Sequence, residues 1–147
     1  MNPESPDPST PSLSPEPGRL WVILGAAFSG LSIVLGAFGA HSLKTLLTAQ
    51  KMAVFHTATH YMGYHGLALI LLGLLSLQLG ETGARALKKA GMFFTAGILL
   101  FCGSLYILTF DGPRFFGPVT PFGGLSFMIG WFTLALAAAK QLKSKRN

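Results

Sequence analysis

VFHTATHYMGYHGLALILLGLL, residues 54–75, sets three of the chain's four histidines at the head of a run that carries no charge. That run spans 52–80, beyond the roughly 20 apolar residues needed to cross about 30 Å of hydrocarbon. Three more charge-free runs, 20–43, 90–110 and 115–139, meet the same requirement. Half of the 147 residues are hydrophobic and only 11% are charged, too few charges to coat a soluble domain of this size. The chain therefore reads as all-α, an integral membrane four-helix bundle with spans at about 20–40, 58–79, 90–110 and 122–139. These spans make one membrane domain over 20–140, flanked by a disordered Pro-rich tail over 1–19 and a basic tail over 141–147.

The tail reading rests on composition, since residues 1–19 hold six of the nine prolines and almost nothing to bury. A cleaved secretory signal fits poorly, because the segment before the first apolar run is acidic and the run itself is too long. The formal net charge of +6 comes from residues that flank apolar runs instead of forming a stripe interleaved with aromatics, so nucleic acid is not expected as a partner. Their placement instead predicts orientation. Arg19, Arg85, Lys88, Lys89, Lys140, Lys143, Lys145 and Arg146 would share one side, against Lys44, Lys51 and Arg114 on the other. The positive-inside rule then puts both termini in the cytoplasm.

Small residues recur at helical spacing within the spans. Gly25, Ser29, Ser32, Gly36 and Gly39 step by four and three in the first, and Thr59, Gly66, Gly73 and Gly80 recur every seventh residue in the second. Gly123, Ser126, Gly130, Thr133 and Ala137 do the same in the fourth. Such seams let membrane helices approach closely where lipid removes the hydrophobic drive between them, and this stepping favours left-handed packing. Gly103 joins the same set of packing positions. Between the first two spans, SLKTLLTAQKMAVF suggests a short amphipathic helix along the interface, and Phe115, Phe116 and Phe122 suggest anchors at headgroup level.

On an ideal helix His60 lies about 40° and His65 about 180° from His56, so the three histidines of the second span do not share a face. HTATH lacks the glutamate of the hydrolytic zinc motif, and no closed set of metal ligands is spaced along the chain, so neither a metal nor another cofactor is expected. Cys102, the only cysteine, reads as a small apolar packer. No acid lies within the spans to carry protons, and no nucleophile elbow, phosphate loop or carboxylate pair is present, which argues against an enzyme. The polar groups that the four spans bring to the outer side form a candidate contact region for a ligand or partner: His41, His60, Tyr61, Tyr64, His65, Ser104, Tyr106 and Asp111, with His56 and Arg114 nearby.

GAFGAH at 36–41, YHGLAL at 64–69, GSLY at 103–106, PVTPFGG at 118–124 and GW at 130–131 occur in an order that resembles the domain of unknown function 423 family, small four-span bacterial membrane proteins related to the eukaryotic transmembrane protein 256 group. The resemblance runs from about residue 20 to about 140. It implies a multi-pass protein of the bacterial cytoplasmic (inner) membrane with no established activity and supplies no catalytic residues. The motif positions it marks are Gly36, Gly39, His41, His65, Gly103, Ser104, Tyr106, Pro121, Gly123 and Gly124. The expectation is a structural or accessory subunit surrounded by membrane lipids, bound to a membrane-protein partner or to copies of itself. The alternatives are a binding or transport module for a small neutral or lipidic ligand at the outer cluster and, third, an oxidoreductase subunit holding haem or metal through His41 and His65.

Overall fold

The computed structural model describes residues 18–78 and 81–144, and leaves the side chains of 81, 82 and 141–144 undescribed. Of the tail read over 1–19, residues 1–17 lie outside the described residues, as do Leu79, Gly80 and the last three residues, while Arg19 already starts α1. Within them the chain forms helices alone: α1 (Arg19–His41), α2 (Ala49–Gln78), α3 (Glu81–Gly97), α4 (Gly103–Thr109) and α5 (Val119–Ser144). A π turn, Ile98–Cys102, runs α3 directly into α4, so the two make one continuous rod. Four rods in all are long and apolar enough to cross a membrane. Successive rods run antiparallel, leaving a tail end, which holds the start of α1 and the end of α5, and a loop end, which holds the 42–48 and 110–118 connections.

The rods outrun the spans expected from charge. The segment read as a separate interfacial helix is a 3-10 turn, Leu43–Thr45, followed by α2, which starts at Ala49 and runs unbroken through Val54 and Phe55. No proline or glycine interrupts 49–62, so the helix continues past the edge of the hydrocarbon. The basic link expected at 80–89 is helical too from Glu81 onward. Ala84, Leu87 and Ala90 are buried there while Arg85, Lys88 and Lys89 are exposed, an amphipathic pattern that extends α3 beyond its apolar core. At the other terminus α5 continues to Ser144, past the expected boundary at 140.

α2 is the central element. It packs along α1 on one side and along α3, the π turn and α4 on the other, whereas α5 leans chiefly on α3 and the π turn. α1 therefore sits at one edge of the bundle. The core gathers Ala58, Met62, Leu69, Leu72, Leu87, Ala90, Phe94, Ile98, Cys102 and Phe127, with Trp21 closing it at the tail end.

Two kinds of close approach hold the rods. Between α1 and α2 backbone meets backbone: a Cβ on Gly25 would stand 2.5 Å from the Gly66 carbonyl oxygen, and one on Gly66 would stand 2.9 Å from the Ser29 amide nitrogen. Between α3 and α5 rings fill glycine notches. Phe94 occupies the space a Gly130 Cβ would need, Phe127 covers Gly97, and Gly123 abuts the Phe101 backbone. Gly103, expected in a packing seam, has no atom within 4 Å of its Cβ position, and Gly36 meets only Thr59 Cγ2 at 3.8 Å. The π turn accounts for Gly103. It adds a residue to the turn and so rotates everything after it by roughly 100° relative to an uninterrupted helix.

α4 ends in a Schellman motif, with Gly112 N–H donating to the Ile107 carbonyl at 2.9 Å and Asp111 N–H to that of Leu108 at 3.3 Å. Asp111 holds the left-handed position, φ 59°, which glycine usually takes. Pro118 then precedes α5, and Pro121 falls in its first turn, where no intrahelical donor is lost.

Candidate functional site

The polar side chains at the loop end of the bundle do not form one cluster. They separate into four arrangements, because α2 turns its histidines towards different neighbours.

The most enclosed is built around His65, which is 5% exposed. The indole of Trp131 donates to Nε2 at 3.2 Å, and since that indole nitrogen can only donate, Nε2 accepts. Nδ1 therefore carries the proton and donates to the Tyr61 carbonyl at 2.8 Å. Both ring nitrogens are satisfied in the neutral imidazole, which an imidazolium could not match because it has no acceptor for Trp131. Phe127 stacks on the ring with centroids 3.5 Å apart and planes 13° apart, and Phe94 and Tyr61 close the remaining sides at 5.6 and 5.9 Å. This layer of rings bridges the space between α2 and α5, whose backbones stay apart. His65 is thus a packing and hydrogen-bonding residue at the centre of the fold.

A second arrangement joins α4 to its neighbours through hydroxyls. Thr59 donates to the Phe55 carbonyl at 2.9 Å, so the Tyr106 hydroxyl, 3.0 Å away, donates to Thr59 Oγ1. Ser104 lies 2.7 Å from Thr120 Oγ1 and 3.0 Å from the Phe101 carbonyl, which belongs to the π turn. Deeper down, Ser126 donates across to the Phe93 carbonyl at 2.8 Å. These contacts clamp α4 against α2 on one side and α5 on the other. Thr120 and Trp131 are members that the spacing of residues along the chain did not single out.

The third is an ion pair between Lys51 and Asp111, which links the start of α2 to the end of α4. Both groups are exposed enough for water to weaken it, and such pairs contribute at most about 1 kcal/mol. Asp111 and Ser104, two turns apart on one rod, have different partners. His41 is exposed at the carboxyl end of α1.

The fourth runs down the other face of α2. His56, His60 and Tyr64 follow one another with ring centroids 6.1 and 6.2 Å apart, and they border a groove of about 340 Å³ between α1 and α2. His60 and Tyr64 are exposed and His56 is half-buried. Among the described residues no three His, Cys, Asp or Glu side chains are grouped to hold a metal ion, and Cys102 is buried among apolar side chains.

The chain as a whole is similar to known proteins. The family described as Protein of unknown function (DUF423) matches residues 35–124. A UPF0382 membrane protein of Staphylococcus aureus is 41% identical over 122 residues, covering 83% of this chain and 97% of the relative. The UPF0382 membrane protein YwdK of Bacillus subtilis is 40% identical over 124 residues, covering 84% and 99%. No solved structure matches the chain. With a family match over more than half its length and relatives aligned almost end to end, the chain belongs to the DUF423 family of multi-pass membrane proteins, the UPF0382 proteins, for which no specific activity is established.

Proposed function

We propose that this chain is a non-catalytic structural or accessory subunit that works by contact with another helix in the bacterial inner membrane, either a partner protein or a second copy. The observation that carries this reading is the free face of α1. Ile23, Val34 and Phe38 are each at least half exposed on it, and Gly30 stands among them with nothing within 4 Å of its Cβ position. A glycine costs helix stability of about 0.5–1 kcal/mol relative to alanine, and inside this molecule no neighbour uses the space it leaves. The notch accommodates a helix from outside. The interior supports the same reading, since apart from Ser29 its buried hydroxyls, like His65, are engaged with one another or with helix carbonyls and are committed to packing.

Native mass spectrometry of the full chain in mild detergent tests the proposal. The parent should travel as a larger complex that Gly30→Leu dissolves without loss of thermal stability. A monomeric parent would refute it. The excess of lysine and arginine at the tail end supports cytoplasmic termini, and a cysteine at Lys140 should then react with an impermeant label only after the cells are opened.

A further inference from the structure

The interface between α1 and α2 is closed at two levels and open between them. Nearer the tail end the backbones touch at Gly25 and Gly66, and at the loop end the Phe55 ring wedges beneath Gly39, with its edge 2.8 Å from the Gly39 Cβ position. The ring holds the helices apart. Between these points the groove of about 340 Å³ opens sideways, onto the surface that faces lipid in a membrane-spanning chain. Its volume falls within the range of small-ligand sites.

Polarity falls along the groove. On the α2 wall His56, His60 and Tyr64 line it towards the loop end and Leu67 lines it towards the bilayer centre, while Ile33 of α1, next to the Ser32 that meets Gly63, lines its middle. From His56 to Leu67 is eleven residues, about 16 Å of helix, comparable to one leaflet's depth of hydrocarbon. At the deep end lies Ser29 Oγ, the one buried side-chain polar atom among the described residues without a hydrogen-bond partner. Other hydroxyls of this chain donate to carbonyls three or four residues back, as Ser32 does to Ser29, but Ser29 does not. The Ser29 hydroxyl is shielded against the Gly66 backbone, so the polar groups the groove offers are the imidazoles and the phenol of its rim.

We propose that this groove binds one membrane phospholipid, with the headgroup phosphate against His56 and His60 and an acyl chain running past Tyr64 and over Leu67. The direction of the polarity gradient matches the lipid's own, from interface to chain. Charge agrees as well, because the loop end carries Lys44, Lys51 and Arg114 against the single acid Asp111, so an anionic headgroup is favoured.

The test uses the full chain in detergent micelles doped with dioleoyl phosphatidylglycerol or, separately, dioleoyl phosphatidylcholine, and reads retained lipid by native mass spectrometry. The parent should keep one phosphatidylglycerol under activation that strips the bulk lipid, with phosphatidylcholine held less well. His56→Ala with His60→Ala should weaken retention by about tenfold or more through the loss of two phosphate contacts. Gly36→Leu, whose new side chain has room to enter the groove, should abolish retention. Circular dichroism and thermal unfolding establish that each variant is folded, and the histidine pair, being partly exposed, remains informative if Gly36→Leu misfolds. Absence of retained lipid in the parent, equal retention by parent and folded variants, or a groove-dependent dimer in place of the lipid would each overturn the proposal.

Discussion

Replacing Gly25 with alanine isolates the contact that docks α1. A Cβ there would lie 2.5 Å from the Gly66 carbonyl oxygen and 2.7 Å from the Ile70 amide nitrogen, whereas ordinary contact begins at 3.4 Å. Both obstacles are backbone atoms in the middle of α2, so neither can rotate away. α1 must retreat by up to about 0.9 Å, and a gap of 0.5–1 Å already forfeits a quarter to a half of each dispersion contact across an interface. Overpacking of this kind costs about 1–3 kcal/mol, while the better helix propensity of alanine returns about 1 kcal/mol, leaving a net loss of up to about 2 kcal/mol. Gly30→Ala supplies the reference. It makes the same change on the same helix, in open space, so it should stabilise by about 0.5–1 kcal/mol. The two variants should therefore differ by about 1–3 kcal/mol, nearly all of it steric. Unfolding by sodium dodecyl sulfate, followed through the fluorescence of Trp21, reads the undocking, because that indole is 8% exposed and packs over Gly91. The packing argument fails if Gly25→Ala exceeds the parent in stability, or if the two variants cannot be distinguished.

Two further outcomes follow from individual contacts. Trp131→Phe removes the only donor to His65 Nε2 and should cost about 1 kcal/mol, but in a His65→Leu background much of that cost should vanish; a double-mutant cycle giving strictly additive losses would dissolve the claimed hydrogen bond. Asp111→Gly should hold or raise the melting temperature, since glycine suits φ 59°, whereas Asp111→Ala should lose about 1 kcal/mol, and equal effects of the two would discount backbone strain at that position.

The number of spans was legible because charge is so costly in hydrocarbon that a run of roughly 20 residues without it already marks a crossing. Helix ends were not legible from the same signal. Charge marks where the hydrocarbon stops, and Arg85, Lys88 and Lys89 stand on a helix that simply continues into water. Nor does ILLFC announce a π turn, for it contains neither glycine nor proline and every residue in it suits an α-helix. Yet that turn sets the azimuth of α4, leaving Gly103 in open space and supplying the Phe101 carbonyl to Ser104. The sequence contains the small residues, but which of them meet a neighbour depends on rotations accumulated along each rod.

The histidines show the same division between depth and direction. Their loop-end position followed from span order, and the half-turn separating His56 from His65 followed from helical geometry. What the two faces meet could not follow, because Trp131 lies 66 residues from His65 in sequence and Ser29 reaches the groove from another helix. α2 is the one rod that packs against both α1 and the α3–α4 rod, so its opposite faces belong to physically separate arrangements. Loss of His65 opens the aromatic layer that joins α2 to α5 and is felt as stability. Loss of His60 leaves that layer intact and alters only the rim of the groove. A histidine-rich stretch that looks like one site when written as a line thus holds a structural residue and a binding surface, and substitutions at the two faces should affect different measurements.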